Sequence, residues 1–474
     1  GKLAQGTLIP WANPCTSTFY IYVPHDLVAC PQVVVVCRNP HSHPPPAPVK
    51  TPPPLMSVLG TLLRGMGWRL ADATPRRAML DSGFVSGLRR ELACNSDRTP
   101  DLSELHPSLA NLDHLHRLIN IIRLRKFPNG TGFDGKSFTQ FLMLRSHSHN
   151  DQSRRYVRCA ETHKLASGSD FRLIICMSPA MSRRLMLATR ISIDTSFKRI
   201  HGWQEFEIEA WDNHHMRSVV STRAFTTSQS ADAHFILFRR IFEIAEEDTG
   251  VTVTFHHMNH MGFESVVADG HKGQGLGLGM FCVYLCRGNH APCRYDPRHC
   301  LCDMDPYDHL QCMYRLCTIH FQRNILKLHS SVQPRVYNAM FSLSSFEAHP
   351  DLEQTLRIIR AGGKKAQAWL KDKIEGTKFA LPALYFPKSL MPAEIWKACP
   401  RTTNGNEQAH RSINRDGTNL TLLGGVMRGQ DYDERAATSI GIHDAYGINT
   451  CDRGSTHAHR ASRAISRLGQ YFLL

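Results

Sequence analysis

The sequence predicts an α/β protein: a mixed sheet with flanking helices and a helical insertion, preceded by a small helical N-terminal domain. Three observations carry that prediction. Residues 191–227 hold three strand-like runs in succession, with β-branched and aromatic residues over 206–210 and 219–225. From Ala231 the apolar positions Phe235, Phe238, Ile241, Phe242 and Ala245 follow helical spacing up to Gly250, behind the N-cap candidates Ser228 and Ser230. Two more strand-like runs, 263–268 and 313–317, alternate with helical segments, the last of them 318–328.

The order β-β-β-α-β-α-β-α, with an acid on the first strand and another directly after the fourth, is that of the ribonuclease-H-like fold. In that arrangement the first and fourth strands are neighbours, so Asp194 and Asp269 are expected to converge at one end of the sheet. A carboxylate in an otherwise apolar strand needs a reason, because burying an unpaired charge is costly or forces protonation. Asp194 is therefore exposed at a strand end, paired with a basic group, or holding a metal ion.

Four blocks also carry a family resemblance: IDTSFKRIHGW, ADGHKGQGLGLGMF, CTIHFQRNI and TTNGNEQAHRSIN. In that order, over roughly residues 128–414, the chain resembles a Mutator-like DDE transposase of the type expanded in fungal genomes. The resemblance implies a catalytic, metal-binding triad of Asp194, Asp269 and Glu407, and makes Cys317 and His320 the Cys-x-x-His pair between the second and third acids. Thr402, Thr403 or Asn404 could cap a helix that carries Glu407 and, on nearly the same face, His410. One departure is visible: relatives tend to pass from the Lys-Gly after the second acid straight into a helix, whereas here Lys272-Gly273 is followed by QGLGLG.

Clustered carboxylates repel unless protons or cations neutralise them. Hard oxygen ligands with open water positions suit Mg²⁺ or Mn²⁺, and a pair of such ions suits in-line displacement at a phosphodiester. By resemblance, Asp194 bridges the two ions, with Asp269 on one and Glu407 on the other. The expected function is DNA transposition, with water as the first nucleophile and a 3′-hydroxyl in strand transfer. The resemblance also implies double-stranded DNA (transposon ends and target) as partner, a homo-oligomer and a nuclear location. A catalytically inactive, domesticated transposase-derived DNA-binding protein is the alternative, since no Cys/His finger or knuckle has usable spacing at either end. A nuclease of the same fold that hydrolyses without joining is a third reading.

A formal net charge of +15 with 27 His favours a polyanionic partner. Nucleic acid comes first, because Lys and Arg neutralising phosphates release counterions; a basic soluble protein without that role is the bland alternative. Fifteen scattered Cys suggest a reducing compartment. No apolar run reaches the length of about 18 residues that a membrane span needs. The first residue is Gly, so a fragment or processed product is expected.

Residues 1–54 read as a Pro-rich leader and linker in the polyproline regime, in which 33–36 is a strand-like run without an obvious mate. A basic helical domain follows over 55–127, then a basic connector, 128–190, that leads into the core. The core's first part is 191–330, the helical insertion 331–400, the helix with the third acid 401–420, and a basic, flexible tail 421–474. Arg154, Arg155, Tyr156 and Arg158 interleave an aromatic ring with cations, a pattern that can stack on bases while meeting phosphates. The alternative is that Tyr156 begins a strand leading into the core. Lys198, Arg199, Lys272 and Arg323, near the acidic blocks, complete the expected DNA-facing set. Seven Cys and four His lie over 282–320 without paired C-x-x-C spacing, so idle or buried thiols are the first reading and structural Zn²⁺ the second. The Gly-rich run fits neither phosphate-loop spacing, and its glycines are expected to let the next helix pack close beside Asp269.

Overall fold

The computed structural model describes residues 15–42, 50–94, 98–134, 155–212, 214–215 and 217–448; the side chains of Asn404, Asn406 and Glu407 lie outside that description. The chain forms two compact units, Gly1–Gly65 with Thr74–Ile122, and Met66–Ala73 with Arg123–Leu474. No described helix is long and apolar enough to cross a membrane.

In the first unit the valine run does find a mate. Strand β1 (Thr18–Tyr22) pairs antiparallel with β2 (Val34–Arg38), Tyr20 opposite Val36. The long intervening segment hid the partner, because a hairpin is read from a short turn. The other described elements of this unit are helices, with Leu59, Leu63, Leu88, Leu115 and Ile119 in its core. Helix Ser82–Glu91 begins where Asp81 accepts from the backbone N–H of Phe84 at 2.9 Å.

The second unit is built on a seven-stranded mixed sheet, an α/β architecture. Its strands are β3 (Val157–Lys164), β4 (Asp170–Cys176), β5 (Arg190–Ser196), β6 (Gln204–Asp212), β7 (Arg217–Thr226), β8 (Ser265–Ala268) and β9 (Tyr314–Leu316), in the spatial order β3-β4-β7-β6-β5-β8-β9. The pairs β5–β8 and β8–β9 are parallel and the others antiparallel. Strands β3 and β4, from the segment read as a connector, extend the β7 edge.

Strand β6 shows why both faces of the sheet are covered. Phe206, Ile208 and Ala210 alternate with Glu205, Glu207 and Glu209, and all six are buried. The apolar set faces helix Ala231–Thr249, where Phe206 meets Phe238 edge-on at 5.7 Å. The acidic set faces helix Asn404–Asn414, whose His410 reaches Glu207. Helix Ala231–Thr249 starts at the Ser230 cap and stops at Gly250, which is left-handed at φ 69°.

The Gly-rich run lies within helix Lys272–Leu285 itself, so the chain does enter a helix directly after Asp269, Gly270 and His271. A Cβ on Gly277 would lie 2.5 Å from His234 Cβ and 2.8 Å from the carbonyl oxygen of Ala231. The glycine therefore sets the spacing of two core helices. Gly277→Ala is expected to cost about 1–3 kcal/mol by forcing them apart, read as a lower urea midpoint with an unchanged slope; an unmoved midpoint would show that the helices are not pressed together there.

Within the segment expected as a flexible tail, Leu422–Tyr446 is instead a helix, with Leu423, Val426, Met427 and Asp433 buried, and residues 449–474 lie outside the described residues. Glycines interrupt its apolar packing face. A Cβ on Gly425 would strike Ile200, and one on Gly429 would lie 2.8 Å from Arg223 Cδ. A face interrupted in this way loses its apolar periodicity.

Candidate active site

Strand β5 delivers Asp194 near its end, and β8 is followed at once by Asp269. The parallel register runs Arg190 to Ser265, Ile191 to Val266 and Ser192 to Val267. Carried two residues further, it sets Asp194 beside Asp269. Asp194 is buried, accepts from the N–H of Thr195 at 2.8 Å through Oδ1, and meets His410 Nδ1 at 3.0 Å through Oδ2. Burial raises its carboxyl above the usual range, His410 opposes that, and the Asp269 charge adds to it. Of the three readings for Asp194, pairing with a basic group is thus realised.

Behind His410 stands Glu207, opposite Asp194 on β6, and Arg223 stands opposite Glu207 on β7. His410 Nε2 lies 3.0 Å from Glu207 Oε2, a close ion-pair contact without hydrogen-bond alignment. Burial opposes a charge on the ring, yet Glu207 and Asp194 outweigh it and hold His410 up to about 11. The helix carrying it, Asn404–Asn414, packs against β5, β6 and β7. Glu407 belongs to this helix, one turn before His410, and its side chain lies outside the described residues.

On the other side, His320 Nδ1 pairs with Asp269 Oδ1, and Thr403 Oγ1 donates to the same oxygen at 3.1 Å. The bond to Asp269 and then Cys317 hold His320 up to about 10. Burial would raise the Cys317 thiol, but His320 and the Thr403 N–H, 3.4 Å from the sulfur, bring it below its ordinary value. Thr318 ties this corner to the third-acid segment, donating to the Arg401 carbonyl from both N (2.9 Å) and Oγ1 (2.7 Å).

The donor set fits a hard divalent cation. Asp194 opens onto a cleft of about 590 Å³ that His410, Arg411, Asn414 and Arg415 also line, and Asp269 is near enough for its charge to act on the Asp194 carboxyl. The repulsion between the two acids is what a cation would relieve. Among the described residues, both polar side-chain contacts to Asp269 fall on Oδ1, with Oδ2 the oxygen such an ion would meet. Asp269, Cys317 and His320 also offer ligand atoms within 4.8 Å of one another, a softer set that suits zinc.

Beneath the site lies a buried charge network that the sequence reading missed. Arg223 pairs with Glu205, Glu207 and Asp433, and Arg199 pairs with Glu205 and donates to the Gly425 carbonyl at 2.6 Å. The signal was present: acids at 205, 207 and 209 alternate with apolar residues, which in a sheet covered on both faces buries all three. Glu209, accepting from Ser218 Oγ at 2.5 Å, has no such ion pair with a basic side chain among the described residues, and burial pushes it from 4.5 up to about 8 despite that bond.

Because the folded value is raised for an acid, Glu209 holds its proton in the fold, and stability falls as pH rises from 4.5 through about 8. Glu209→Gln is therefore expected to match the unaltered chain near pH 4 and to exceed it by a few kcal/mol, as an order of magnitude, above pH 8. Urea titrations of both chains across this range check the prediction, and a pH-independent difference would refute it.

The expected DNA-facing residues divide. Tyr156 is buried and donates to Asp433 Oδ2 at 2.5 Å, so its ring cannot stack on a base; it begins the strand edge, the structural alternative. Arg199 is buried in the network and cannot meet phosphate. Arg158 pairs with Asp248, its side chain 7% exposed, which removes it as well. Burial beside acids corrects all three. Arg155 and Lys198 are exposed, Lys272 pairs with Asp372 at 3.1 Å, and Arg323 lies exposed with Nη1 3.5 Å from His320 Nε2. Arg154 lies outside the described residues. Arg411 and Arg415, at the cleft itself, went unnoticed in the sequence.

Over 282–320 the described cysteines are free, with Cys293 and Cys312 sulfurs 3.9 Å apart. Among the described residues, the only metal-capable group drawn from this segment is Cys317 and His320 with Asp269. No protein-family model, curated protein or solved structure matches the chain.

Proposed function

We propose that the protein is a metal-dependent DNA transposase, or a remnant of one, that cuts and joins phosphodiesters at the cleft beside Asp194. The observation that carries this reading is the parallel register of β5 and β8, which sets Asp194 and Asp269 side by side under the helix that bears Glu407. The order β7-β6-β5-β8-β9, antiparallel then parallel, is the strand order of the ribonuclease-H-like fold and supports that assignment. Asp194 and Asp269, with Glu407, would hold Mg²⁺ or Mn²⁺. Bound there, such ions would activate an attacking hydroxyl and stabilise the departing oxygen.

The chain's own residues do the rest. His410, fixed by Glu207, orients Asp194, and His320 with Thr403 orients Asp269. Arg411 and Arg415 line the cleft and can meet backbone phosphates. The net charge of +15 supports a nucleic-acid partner, here DNA in the nucleus.

One observation favours the second reading, a non-catalytic DNA-binding derivative: His410 and His320 already neutralise the two acids without a metal. The deciding measurement incubates the full chain with DNA and Mg²⁺ or EDTA. Nicks that require the metal support the enzyme. Binding without nicks in either condition supports the derivative, and neither binding nor nicking removes both.

A further inference from the structure

We propose that the turn between β6 and β7 and the end of helix Leu422–Tyr446 form a zinc site, with His214, His215, His443 and Asp444 as ligands. It lies at the end of the sheet away from Asp194, since β6 runs antiparallel to β5 and Asp212 is past the Ile191–Ala210 pair. The proposal is independent of the transposase reading.

Each of the four residues offers one ligand atom, and these atoms all lie within 4.8 Å of one another. His215 Nε2 is 2.8 Å from Asp444 Oδ1, and His214 Nε2 is 3.7 Å from the same oxygen. Donors around a tetrahedral zinc ion with bonds of about 2.0–2.1 Å stand roughly 3.4 Å apart, so small side-chain rotations complete the set. Three imidazoles and one carboxylate make a closed, borderline-soft ligand set, which suits zinc.

The arrangement is built, not incidental. Asp212 Oδ1 accepts from the N–H groups of both His214 and His215 at 3.0 Å, which fixes the turn. Its other oxygen lies 2.9 Å from His215 Nδ1, an ion-pair contact without hydrogen-bond alignment, on the side of the ring from which a carboxylate can aim Nε2 of a ligating histidine. Ion pairing alone accounts for His215 between two aspartates. It does not account for His443, whose ring packs 4.9 Å from that of His215 and whose buried Nδ1 has no hydrogen-bond partner among the described residues. The C-terminal end of the helix, closed by Gly447 at φ 65°, adds a negative dipole that favours a cation. Asp444 and His214 are half-exposed and exposed, which gives an ion a way in. Zinc there would clamp the last helix to the sheet.

The test uses the full chain without a polyhistidine tag, stripped of metal by chelation and titrated with Zn²⁺ by calorimetry and with Co²⁺ by visible absorption. One equivalent is expected at this site, with the strong bands of tetrahedral cobalt. His443→Ala and His443→Gln, each checked for unchanged far-ultraviolet circular dichroism, should lose that equivalent, and Asp212→Asn should weaken it by about 10–100-fold. Cys317→Ser, at the other metal-capable group, should leave it intact. The proposal falls if no zinc binds, if the stoichiometry survives in folded His443 variants, or if Cys317→Ser alone removes it.

Discussion

Replacing Asp194 by Asn is expected to lower metal-dependent nicking by about a thousandfold while leaving the chain folded at neutral pH. The loss follows from charge. Stabilisation of a developing phosphoryl charge by a divalent ion amounts to several kcal/mol, at about 1.4 kcal/mol per decade of rate, and an amide is a poor ligand for a hard cation beside a single remaining aspartate. The survival of the fold follows from packing. Asn has the size of Asp and removes the repulsion from Asp269, but Thr195 N–H and His410 Nδ1–H meet different oxygens of the carboxylate, so the one amide oxygen keeps one of them and the NH2 faces the other, at a cost of about 1–3 kcal/mol. The variant thus separates chemistry from folding, and DNA binding through the basic surface should persist. Parallel nicking, gel-shift and thermal-melt measurements read all three. Metal-dependent nicking at the unaltered rate would show that Asp194 holds no reacting ion.

How much of this was legible depends on which physical signal each element emits. Helix Ala231–Thr249 declared itself through Ser230, its apolar spacing and Gly250, and the three-strand meander through its β-branched runs. The convergence of Asp194 with Asp269 followed from strand order, which the sheet bears out as neighbouring, parallel β5 and β8. Helix Leu422–Tyr446 stayed hidden because glycines at 424, 425 and 429 interrupt its buried apolar face. The pairing of His410 with Asp194 was also out of reach: spacing put His410 on the helix, but only the packing of that helix across β5, β6 and β7 brings Nδ1 to the carboxylate. Tyr156 misled for a related reason. An aromatic among arginines looks like a base-stacking surface until a distant acid, Asp433, draws its hydroxyl into the core.

Arg223→Met is expected to destabilise the second unit by about 3–5 kcal/mol, the cost of leaving buried charges without their partner. Met fills much of the same volume, so the loss is electrostatic more than steric. The guanidinium reaches three acids: Nε and Nη2 grip Asp433 at 3.0 and 2.9 Å, and Nη1 contacts Glu205 and Glu207. Without it, burial would drive those carboxyls to take up protons, so the penalty should shrink toward pH 4 and grow toward pH 8. Adding Asp433→Leu removes one orphaned charge and should recover part of the loss, because a buried pair replaced on both sides by apolar groups is far less costly than one broken. Urea midpoints of the single and double variants check this; equal midpoints for Arg223→Met and the unaltered chain would mean that the network contributes nothing. The consequence reaches the site. Arg223 fixes Glu207, Glu207 and Asp194 together hold the charge on His410, and His410 fixes Asp194, so the groups form one line across β7, β6 and β5. Any Arg223→Met molecules that remain folded should therefore nick DNA more slowly, through a carboxylate whose orientation is no longer secured from behind.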